Sequence, residues 1–415
     1  MDKNKRILII TVNAFSDTNN NGKTLANIFK DYPKCNIAQL YLYPEFPDNA
    51  QYSNIKYYRI TDSDVIRSIL NRGKKCGSIV SIKVNVKSQN KKIYKLKLKN
   101  LSSLRLGRDI LWYSKYWLTS DLKSWIKEFH PDELFLNGLN NFGVIDLANT
   151  ISNEFGLTKK VFATDDYFMK HFSLSPAYHL RRLLLIKNMK KLLKDDCEFF
   201  TINKYMQKAY LELFKKNSEI IVNYPNVPEE FKKKLDLSNG NDVLNIVYIG
   251  NLSWNRYKTI GFLSEAIYKK YTGVKYKISV YSKSVTPMQL KVLEKYDNCK
   301  YCGNLMAKEV DKKMEEADIL LIAESFDYFS RKAIVLSLST KTTEYLAACR
   351  PILAIGPKEI GTMRFLMDNT KSICICKKSR EVVCKELHKL ESSVERENIA
   401  YSGYHYMKKL EKEKI

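Results

Sequence analysis

The sequence lacks long uninterrupted apolar runs. No window approaches the roughly 18 consecutive apolar residues of a membrane-spanning helix, so we expect no helical segment that crosses a bilayer. The apolar run that begins at Ile7 is ended by polar residues from Asn13 onward, and no signal-peptide cleavage site follows it. We therefore interpret Ile7–Val12 as a buried first strand and expect a cytoplasmic protein.

The chain also lacks the cysteine pattern of a disulfide-rich or zinc-binding protein. Its nine cysteines are scattered, odd in number and mostly inside apolar runs, which in a large cytosolic chain indicates reduced, buried thiols. Only Cys299 and Cys302 have the spacing of metal ligands, and no second pair completes the four ligands that zinc needs. We expect two strand residues there and no metal site.

Acidic residues are too few to balance the basic ones, and the formal net charge is +25. Such an excess favours anionic partners, which include nucleotide phosphates, anionic lipid and nucleic acid. Lysines on solvated faces explain the excess equally well. The charge alone does not choose between these readings.

Two stretches of the chain alternate short apolar runs with helical periods, which is typical of parallel α/β structure. With 415 residues and 45% hydrophobic residues, the chain is long enough for two cores. The first stretch predicts strands at 7–12, 134–137, 161–163, 199–201 and 220–222. The second predicts strands at 244–249, 276–281, 300–302, 319–323, 352–355 and 373–376. We therefore predict two Rossmann-like, doubly wound domains.

The turn-rich segment Asn223–Pro228 separates the two stretches. It contains two prolines, which break regular elements, so we interpret it as the linker. This places the first domain at 1–226 and the second at 227–395. A charged helix over 396–415 is a candidate for packing back on the first domain. Ile82–Lys99 alternates apolar and basic residues, and we interpret it as an edge hairpin or a surface excursion.

Loops that follow predicted strands of the second domain carry candidate anion-binding residues. Gly250 permits close backbone approach and Asn251 follows it, while Arg256 and Lys258 place cations before the next helix. A guanidinium matches diphosphate oxygens in a forked geometry. The alternative for this loop is a solvated surface turn.

Two further candidate sites in the second domain also lie in loops of this kind. Ser339, Thr340 and Lys341 open a helix, and Glu344, one turn in, has a carboxylate that can accept hydrogen bonds from a ribose diol. The alternative is a capping arrangement with Thr340 as the N-cap. Glu324 follows a buried strand and meets either ligand or solvent.

The first domain has two candidate sites. The loop ending in Asn21, Gly22 and Lys23 is similar to a P-loop, but Asp17 stands where the phosphate cradle needs glycine. We therefore exclude ATP hydrolysis and retain an anion-tolerant loop. Asp165 and Asp166 follow a predicted strand and either orient a hydroxyl or act as a base, or form an N-cap with a solvated neighbour.

A basic amphipathic helix is predicted over His179–Lys194. Its apolar side either packs on its own sheet or lies on an anionic membrane surface. That side consists of Leu180, Leu183, Leu184, Ile186, Met189, Leu192 and Leu193.

Taken in order, the loops resemble those of the bacterial retaining glycosyltransferases of family 4, also called group 1. The segment Ser339–Lys341, followed by Glu344–Ala348 and Pro351–Ala354, is similar to the donor-site signature of that family. Gly250–Leu252 with Arg256 is similar to its phosphate-binding loop, and Asn13–Thr24 to the amino-terminal loop of a capsule-locus branch. The resemblance implies the GT-B fold, with two Rossmann-like domains facing each other across a cleft.

The resemblance implies a hexosyltransferase-like enzyme that moves a sugar from a nucleoside-diphosphate sugar to a saccharide acceptor. The acceptor is expected to be lipid-linked, in the synthesis of capsule, O-antigen or exopolysaccharide, at the inner face of the plasma membrane. Retention of configuration and independence of any metal or other cofactor are implied as well. The implied roles are diphosphate binding by Gly250, Asn251, Arg256, Lys258, Ser339, Thr340 and Lys341, ribose or sugar binding by Glu344 and Glu324, catalysis by Asp165 and Asp166, and acceptor-domain contacts by Asn21, Gly22 and Lys23.

The sequence departs from the family pattern at two positions. The commoner signature has a pair of glutamates, and the first would fall at Leu336, with Glu324 as a stand-in on another loop. The usual histidine of the first domain is replaced by Asp165. These departures leave the sugar and the stereochemistry open.

Three other functions remain as alternatives. A sugar-nucleotide epimerase needs a carboxylate and a histidine at the sugar, and the chain has only five histidines. A nucleic-acid-binding protein is suggested by charge, but no known module accompanies it, so we expect no nucleic-acid partner. A non-catalytic scaffold fits the interrupted signature at Leu336.

Overall fold

The computed structural model describes residues 2–17, 20–80, 101–194, 196–232, 243–273 and 275–413. The chain divides into two compact units, Met1–Ile221 and Val222–Ile415. The division falls just before the segment interpreted as the linker. The hairpin predicted over Ile82–Lys99 lies outside the described residues.

The first unit is built on one sheet, whose described strands run in the order β4-β3-β2-β1-β5-β6-β7-β8. All neighbouring strands are parallel except β3 and β4, which are antiparallel. The strands are β1 (Ile7–Thr11), β2 (Ile37–Tyr41), β3 (Lys56–Arg59), β4 (Ser78–Val80), β5 (Glu133–Asn137), β6 (Thr158–Ala163), β7 (Cys197–Thr201) and β8 (Glu219–Ile220).

The helices of the first unit pack on this sheet. Several begin with an asparagine N-cap at the carboxyl end of a strand: Asn141 accepts hydrogen bonds from the backbone of Gly143 and Val144, and Asn203 caps the helix after β7 in the same way. These helices are α1 (Asn20–Ile28), α2 (Asp62–Leu70), α3 (Ser102–Tyr113), α4 (Ser120–Phe129), α5 (Phe142–Phe155), α6 (Pro176–Leu193) and α7 (Lys204–Phe214).

Strands β2 and β3 were missed by the sequence analysis. β2 is fully buried yet contains Gln39, whose side chain donates to Thr11 and to the carbonyl of Asn13. β3 is short and flanked by Lys56 and Arg59. In both strands polar residues interrupt the apolar run, because their side chains find partners in the fold that the local pattern does not show.

The second unit contains a six-stranded parallel sheet in the order β11-β10-β9-β12-β13-β14, counted over the described residues. Every strand predicted for this half is present. The strands are β9 (Val243–Ile249), β10 (Lys275–Tyr281), β11 (Cys299–Tyr301), β12 (Ile319–Ala323), β13 (Ile352–Ile355) and β14 (Ile373–Ile375).

Helices cover both faces of this sheet and form a core on each side. Ile260, Leu293 and Val383 belong to one core, and Met314, Tyr345 and Met363 belong to the other. The helices are α8 (Arg256–Lys270), α9 (Pro287–Leu293), α10 (Ala307–Glu316), α11 (Tyr328–Ala333), α12 (Thr340–Ala347), α13 (Gly361–Asn369), α14 (Arg380–Lys389) and α15 (Ser393–Glu413).

The C-terminal helix α15 belongs to the second unit. Its Gly403 lies against Leu346 of α12, so closely that a Cβ on Gly403 would come within 2.7 Å of the leucine side chain. Tyr404 donates a hydrogen bond to the carbonyl of Glu229, and Met407 is fully buried in the core beside α12. These contacts hold the helix against the second unit. The sequence analysis had considered packing on the first domain.

A buried ion pair joins two helices of the first unit. Arg181 of α6 lies 2.8 Å from the carboxylate of Asp109 of α3, and Asp109 is 1% exposed. Burial raises the pKa of Asp109 to about 6, and the neighbouring guanidinium opposes that rise. The Arg181 side chain also bonds Asn140, in the loop after β5. The pair therefore holds α3, α6 and this loop together.

We expect Arg181→Ala to destabilise the first unit by about 3–5 kcal/mol, because it leaves the Asp109 carboxylate buried without a cation. Urea unfolding followed by tryptophan fluorescence measures this, since Trp112, Trp117 and Trp125 are all buried in this unit. Lys187→Ala, at an exposed position of the same helix, is the matched control and should change stability by less than about 0.5 kcal/mol. Equal unfolding midpoints for the two variants would contradict the assignment.

Candidate functional site

The second unit has a topological switch point between β9 and β12. The chain proceeds from β9 outward to β10 and β11 on one side, and from β12 to β13 and β14 on the other. In doubly wound sheets the loops that leave the strands at such a point diverge and open a crevice at the carboxyl edge. The loops in question are the one from Gly250 to Asn255 after β9 and the one from Glu324 to Asp327 after β12.

The loop after β9 is held tightly by its own contacts. Tyr248 donates a hydrogen bond of 2.6 Å to the carbonyl of Asn251, and the Asn251 side chain accepts one from the backbone of Ser253. A Cβ on Gly250 would lie 3.1 Å from the Tyr248 hydroxyl. Glycine at 250 thus leaves room for the tyrosine that fixes the loop.

Arg256 and Glu324 form an ion pair across the switch point. Nε and Nη2 of Arg256 donate to the two carboxylate oxygens of Glu324 at 3.0 and 3.3 Å, and Nη1 donates to Asn251 at 3.0 Å. Glu324 is 2% exposed, so its charge depends on this partner. A Cβ on Gly356, which follows β13, would lie 2.7 Å from Cβ of Glu324. Three residues predicted for the donor site are therefore in direct contact.

Helix α12 carries the second group of predicted residues. Nζ of Lys341 lies 2.5 Å from Glu344, and both residues are mostly buried. Ser339 occupies the N-cap position without a side-chain cap bond, so the arrangement with Thr340 as N-cap is not observed. Instead the backbone N–H of Ser339 donates to the hydroxyl of Thr362.

Tyr345 connects α12 to the end of β9. Its hydroxyl accepts a hydrogen bond from the backbone N–H of Ile249 at 2.9 Å and lies 3.3 Å from the Ile249 carbonyl. Ile249 directly precedes Gly250, so the Lys341–Glu344 pair and the Gly250 loop are fixed to the same strand end. Lys258 lies near the ring of Tyr257 on α8. The pKa of Asp327 is lowered mainly by hydrogen bonds from Ser330, with a smaller contribution from the charge of Lys258.

The sequence analysis missed the cap that joins the two loops. Asp327 accepts hydrogen bonds from the backbone and hydroxyl of Ser330, at the start of α11. The Asn255 side chain donates to the same Ser330 hydroxyl at 3.2 Å. An aspartate three residues before a serine is an N-cap pattern that could have predicted α11. No sequence pattern predicts the contact between Asn255 and Ser330.

In the first unit, Asp165 and Asp166 follow β6, as predicted. The Asp165 side chain accepts a hydrogen bond from the backbone of Asp166, and its carbonyl accepts one from Tyr210. Asp166 accepts from the backbone of Met169 through one carboxylate oxygen. The other oxygen, Oδ2, is buried without a hydrogen-bond partner in the described part of the chain, and lies 3.8 Å from Nε2 of His171.

The environment of Asp166 favours its protonated form. Burial raises its pKa to about 7, and the charge of Asp165 adds to the rise. Burial also lowers the pKa of His171, with a contribution from Arg182. Near neutral pH, Asp166 therefore binds a proton for much of the time beside an uncharged imidazole. Such a carboxyl can donate a hydrogen bond or exchange a proton with a bound hydroxyl.

The residues around Gly22 are not in a loop. Helix α1 begins at Asn20, earlier than the predicted start at Lys23, so Asn21, Gly22 and Lys23 lie in its first turns. A Cβ on Gly22 would come within 2.4 Å of the Ala14 carbonyl. The glycine therefore serves close packing of the helix on the loop after β1. Asn21 donates a hydrogen bond to Asn13 in the same loop.

A groove of about 1400 Å³ lies on the outer side of the second unit, between α8, α9 and the start of α14. Two ion pairs involve its lining: Arg380 lies 3.1 Å from Glu265, and Glu381 bonds Lys270. Lys258, Lys291, Lys295 and Lys378 also line it. The groove runs along these helices, and its lining includes Lys258, one of the predicted diphosphate-binding residues. We assign it no ligand.

No metal-binding cluster and no membrane-spanning helix are found in the described ranges. No three histidine, cysteine, aspartate or glutamate side chains there are grouped so that they could hold a metal ion. No helix among those residues is long and apolar enough to cross a bilayer. All nine cysteines are free thiols, with Cys299 buried in β11 and Cys302 exposed just beyond it.

Comparison with known proteins places the fold. The chain matches no protein-family model, and no curated protein matches its sequence. Solved structures do match over nearly the whole chain. A sucrose-phosphate synthase from Thermosynechococcus elongatus is similar with a TM-score of 0.62 at 11% identity, covering 97% of this chain and 94% of the other.

Two further structures extend this result. TarM of S. aureus, in a mutant complex with fondaparinux, alpha-GlcNAc-glycerol and UDP, has a TM-score of 0.58 at 12% identity and covers 97% of this chain and 96% of its own. WaaG, a glycosyltransferase involved in lipopolysaccharide biosynthesis, has a TM-score of 0.53 at 13% identity, with 97% and 95% covered. The predicted fold class, GT-B with two Rossmann-like domains, is confirmed.

We expect the stability of the wild-type protein relative to Asp166→Asn to depend on pH. Because the folded-state pKa is raised from 3.8 to about 7, ionisation of Asp166 is harder in the folded state. Its contribution to stability is therefore present at pH 4 and is lost as the pH rises to 7. Each pKa unit corresponds to about 1.4 kcal/mol.

Urea unfolding of both proteins at several pH values measures the effect. The free energy of unfolding of Asp166→Asn should rise relative to wild type between pH 4 and 7, by several kcal/mol at most. Asp121→Asn, at an exposed position, is the matched control. A difference between wild type and Asp166→Asn that stays constant with pH would contradict the assignment.

Proposed function

We propose that this protein is a glycosyltransferase that transfers a sugar from a nucleoside-diphosphate sugar to a saccharide acceptor. The observation that carries the proposal is the Arg256–Glu324 ion pair at the switch point, beside the Gly250 loop. Ligands of doubly wound sheets bind at this position. The GT-B fold, shared with glycosyltransferases such as WaaG and with a UDP complex of TarM, supports it.

In this proposal the diphosphate of the donor binds at the carboxyl edge of the second unit. The Gly250 loop supplies backbone N–H groups, and Arg256 supplies a guanidinium whose direction is set by Glu324 and Asn251. Lys258 adds positive charge nearby, and Ser339 and Thr340 open α12, whose N-terminus favours an anion. Negative charge develops on the departing nucleoside diphosphate, and fixed cations stabilise it.

Lys341 and Glu344 exchange partners when the donor binds. In the described structure they neutralise each other at 2.5 Å. We propose that Lys341 turns to the diphosphate and that Glu344 then accepts hydrogen bonds from the ribose hydroxyls. This scheme needs no metal ion, because the basic side chains stabilise the negative charge of the diphosphate. Glu324, predicted to bind ribose or sugar, contacts Arg256 instead, so we propose that it positions this arginine.

Asp165 and Asp166 have the catalytic role in this proposal. The proton on Asp166 and the neutral His171 beside it suit a group that orients a sugar or acceptor hydroxyl. We propose that Asn21, Gly22 and Lys23, in the first turns of α1 of the same unit, contact the acceptor. The finer reaction we propose is retaining transfer of a hexose to a lipid-linked saccharide, in bacterial surface-polysaccharide synthesis.

Helix α6 supports association with an anionic membrane. Its predicted apolar side is divided: Met189, Leu192 and Leu193 are buried, whereas Leu180 and Leu183 are 49% and 61% exposed. The exposed leucines continue along one stripe of the helix into Lys187 and Lys190, at alternating spacings of three and four residues. We propose that this stripe binds the inner face of the plasma membrane, where the lipid-linked acceptor is found.

We expect a panel of nucleotide sugars to reveal a donor that raises the melting temperature and is slowly hydrolysed. Lys341→Ala and Glu344→Ala should each weaken its binding by roughly 10- to 100-fold, because each loses a charge-assisted hydrogen bond. Isothermal titration calorimetry measures the affinity. Lys312→Ala, 79% exposed on α10, is the matched control and should bind like wild type.

For Arg256, the test needs a substitution that retains the positive charge. Arg256→Ala leaves Glu324 buried without a cation, so loss of binding would not be separable from loss of folding. Arg256→Lys retains the charge but not the forked geometry, and should fold while binding the donor at least about tenfold more weakly. Wild-type affinity in all three site variants would refute the proposed donor site.

Flotation with vesicles of phosphatidylcholine and phosphatidylglycerol tests the membrane proposal. The wild-type protein should float at low salt, and the double variant Leu180→Asp with Leu183→Asp should remain at the bottom, because both changes put charge into the apolar contact. Leu211→Asp, 40% exposed on α7, is the matched control and should float. Each lysine of the stripe should contribute about 1 kcal/mol on anionic vesicles. If the wild-type protein does not float with these vesicles, the membrane proposal is refuted.

A further inference from the structure

We propose that Trp254 is a stacking surface for a pyranose ring, placed beside the diphosphate site of the second unit. This inference rests on the proposed function, because it takes the anion at Arg256 to be that of a sugar nucleotide or its product. It adds an aromatic sugar-binding residue to a site for which the sequence predicted only charged and polar groups.

Trp254 differs from the other tryptophans of the chain. Trp112, Trp117 and Trp125 are each at most 4% exposed in the core of the first unit, whereas Trp254 is 50% exposed. Burying an indole ring contributes more free energy than burying almost any other side chain. A half-exposed indole on a short loop therefore leaves a large apolar surface for a ligand.

The backbone holds this indole in an unusual conformation. Trp254 and Asn255 have φ angles of 56° and 57°, both in the left-handed region. Two consecutive residues other than glycine in that region cost roughly 1 kcal/mol or more each. The same loop could relax at little cost if residue 254 were glycine.

Hydrogen bonds on both sides of Trp254 maintain the strain. The backbone of Arg256 donates to the carbonyl of Ser253, and that of Lys258 donates to the carbonyl of Asn255. The Asn255 side chain reaches Ser330, as described above. These bonds hold the backbone that carries the indole, and an ordered backbone reduces the entropy that the loop loses when a ligand binds.

The neighbourhood of Trp254 suits a saccharide. A pyranose has apolar C–H faces and a rim of hydroxyls, so it binds where an aromatic face adjoins polar groups. Asn255 and Asp327 provide amide and carboxylate groups at the edge of this loop. Tyr328 and Phe329, 53% and 62% exposed, are further aromatic side chains on α11, the helix whose Ser330 accepts from Asn255. Arg256, which would hold the diphosphate, lies two positions further along the chain.

Two sources can supply the pyranose: the sugar of the donor and the saccharide of the acceptor. Acrylamide quenching of tryptophan fluorescence distinguishes them, because Trp254 is the one exposed indole among the four, all of which are described. The probes are UDP and GDP alone, then UDP-glucose, UDP-galactose, UDP-N-acetylglucosamine and GDP-mannose, then maltose and methyl glycosides. Protection by a nucleotide sugar beyond that of its nucleotide indicates the donor, and protection by a saccharide indicates the acceptor.

Substitutions separate stacking from other effects. Trp254→Ala should weaken binding of the protecting sugar roughly five- to tenfold while changing the affinity for UDP or GDP less than about twofold. Trp254→Phe retains an aromatic face and should recover most of the affinity. Tyr268→Ala, at a 58% exposed aromatic of α8, is the matched control and should bind as wild type does.

Two results would overturn the inference. The first is an unchanged quenching curve with every sugar, and the nucleotide arm then shows whether the donor site fails too: if UDP or GDP still binds, only the Trp254 proposal falls. The second is an equal loss of nucleotide and nucleotide-sugar affinity in Trp254→Ala, which would show that the indole shapes the loop and does not contact the sugar.

Discussion

The ion pair between Arg256 and Glu324 is the interaction on which the candidate site depends. Glu324 is almost fully buried where β12 ends, so its carboxylate must have a cation beside it. Arg256 satisfies it with two hydrogen bonds and reaches Asn251 with a third. The loop after β9, the first turn of α8 and the end of β12 are thereby fixed to one another. Gly356 allows the close packing that keeps Glu324 in place.

The two ion pairs of this edge differ in how readily they can open. Arg256 has a two-point contact with a carboxylate that is 3% exposed, whereas Lys341 has a single contact with Glu344, which is 9% exposed. Opening either pair leaves a buried carboxylate, but the flexible side chain of Lys341, which makes one contact, can turn to another anion more readily than the forked guanidinium of Arg256. The site therefore combines one fixed cation with one that can change partner. That combination suits a phosphate that must bind and then leave.

The sequence predicted the second unit better than the first for a physical reason. The strands of the second sheet are continuous apolar runs bounded by polar residues, so their pattern is local. In the first unit, β2 contains Gln39, and α1 contains Gly22 in its early turns, and both residues are explained only by contacts with the loop after β1. The residues of the candidate donor site were predicted from loop positions and a family resemblance. Their pairing was not, because Arg256 and Glu324 are 68 positions apart.

The two buried carboxylates of the first unit show how structural and functional burial differ. Asp109 and Asp166 are both largely removed from water, and burial raises the pKa of each. Arg181 offsets part of the free-energy cost of burying the Asp109 carboxylate, and the same arginine binds the loop after β5. Asp166 accepts a backbone hydrogen bond from Met169 and lies near the charge of Arg182, but its buried Oδ2 has no hydrogen-bond partner among the described residues, and its pKa rises further. Asp109 is thus compensated mainly by an arginine of another helix, whereas Asp166 is compensated mainly by backbone N–H groups of its own loop. The buried Oδ2 of Asp166, at the end of β6, is the feature on which its proposed catalytic role rests.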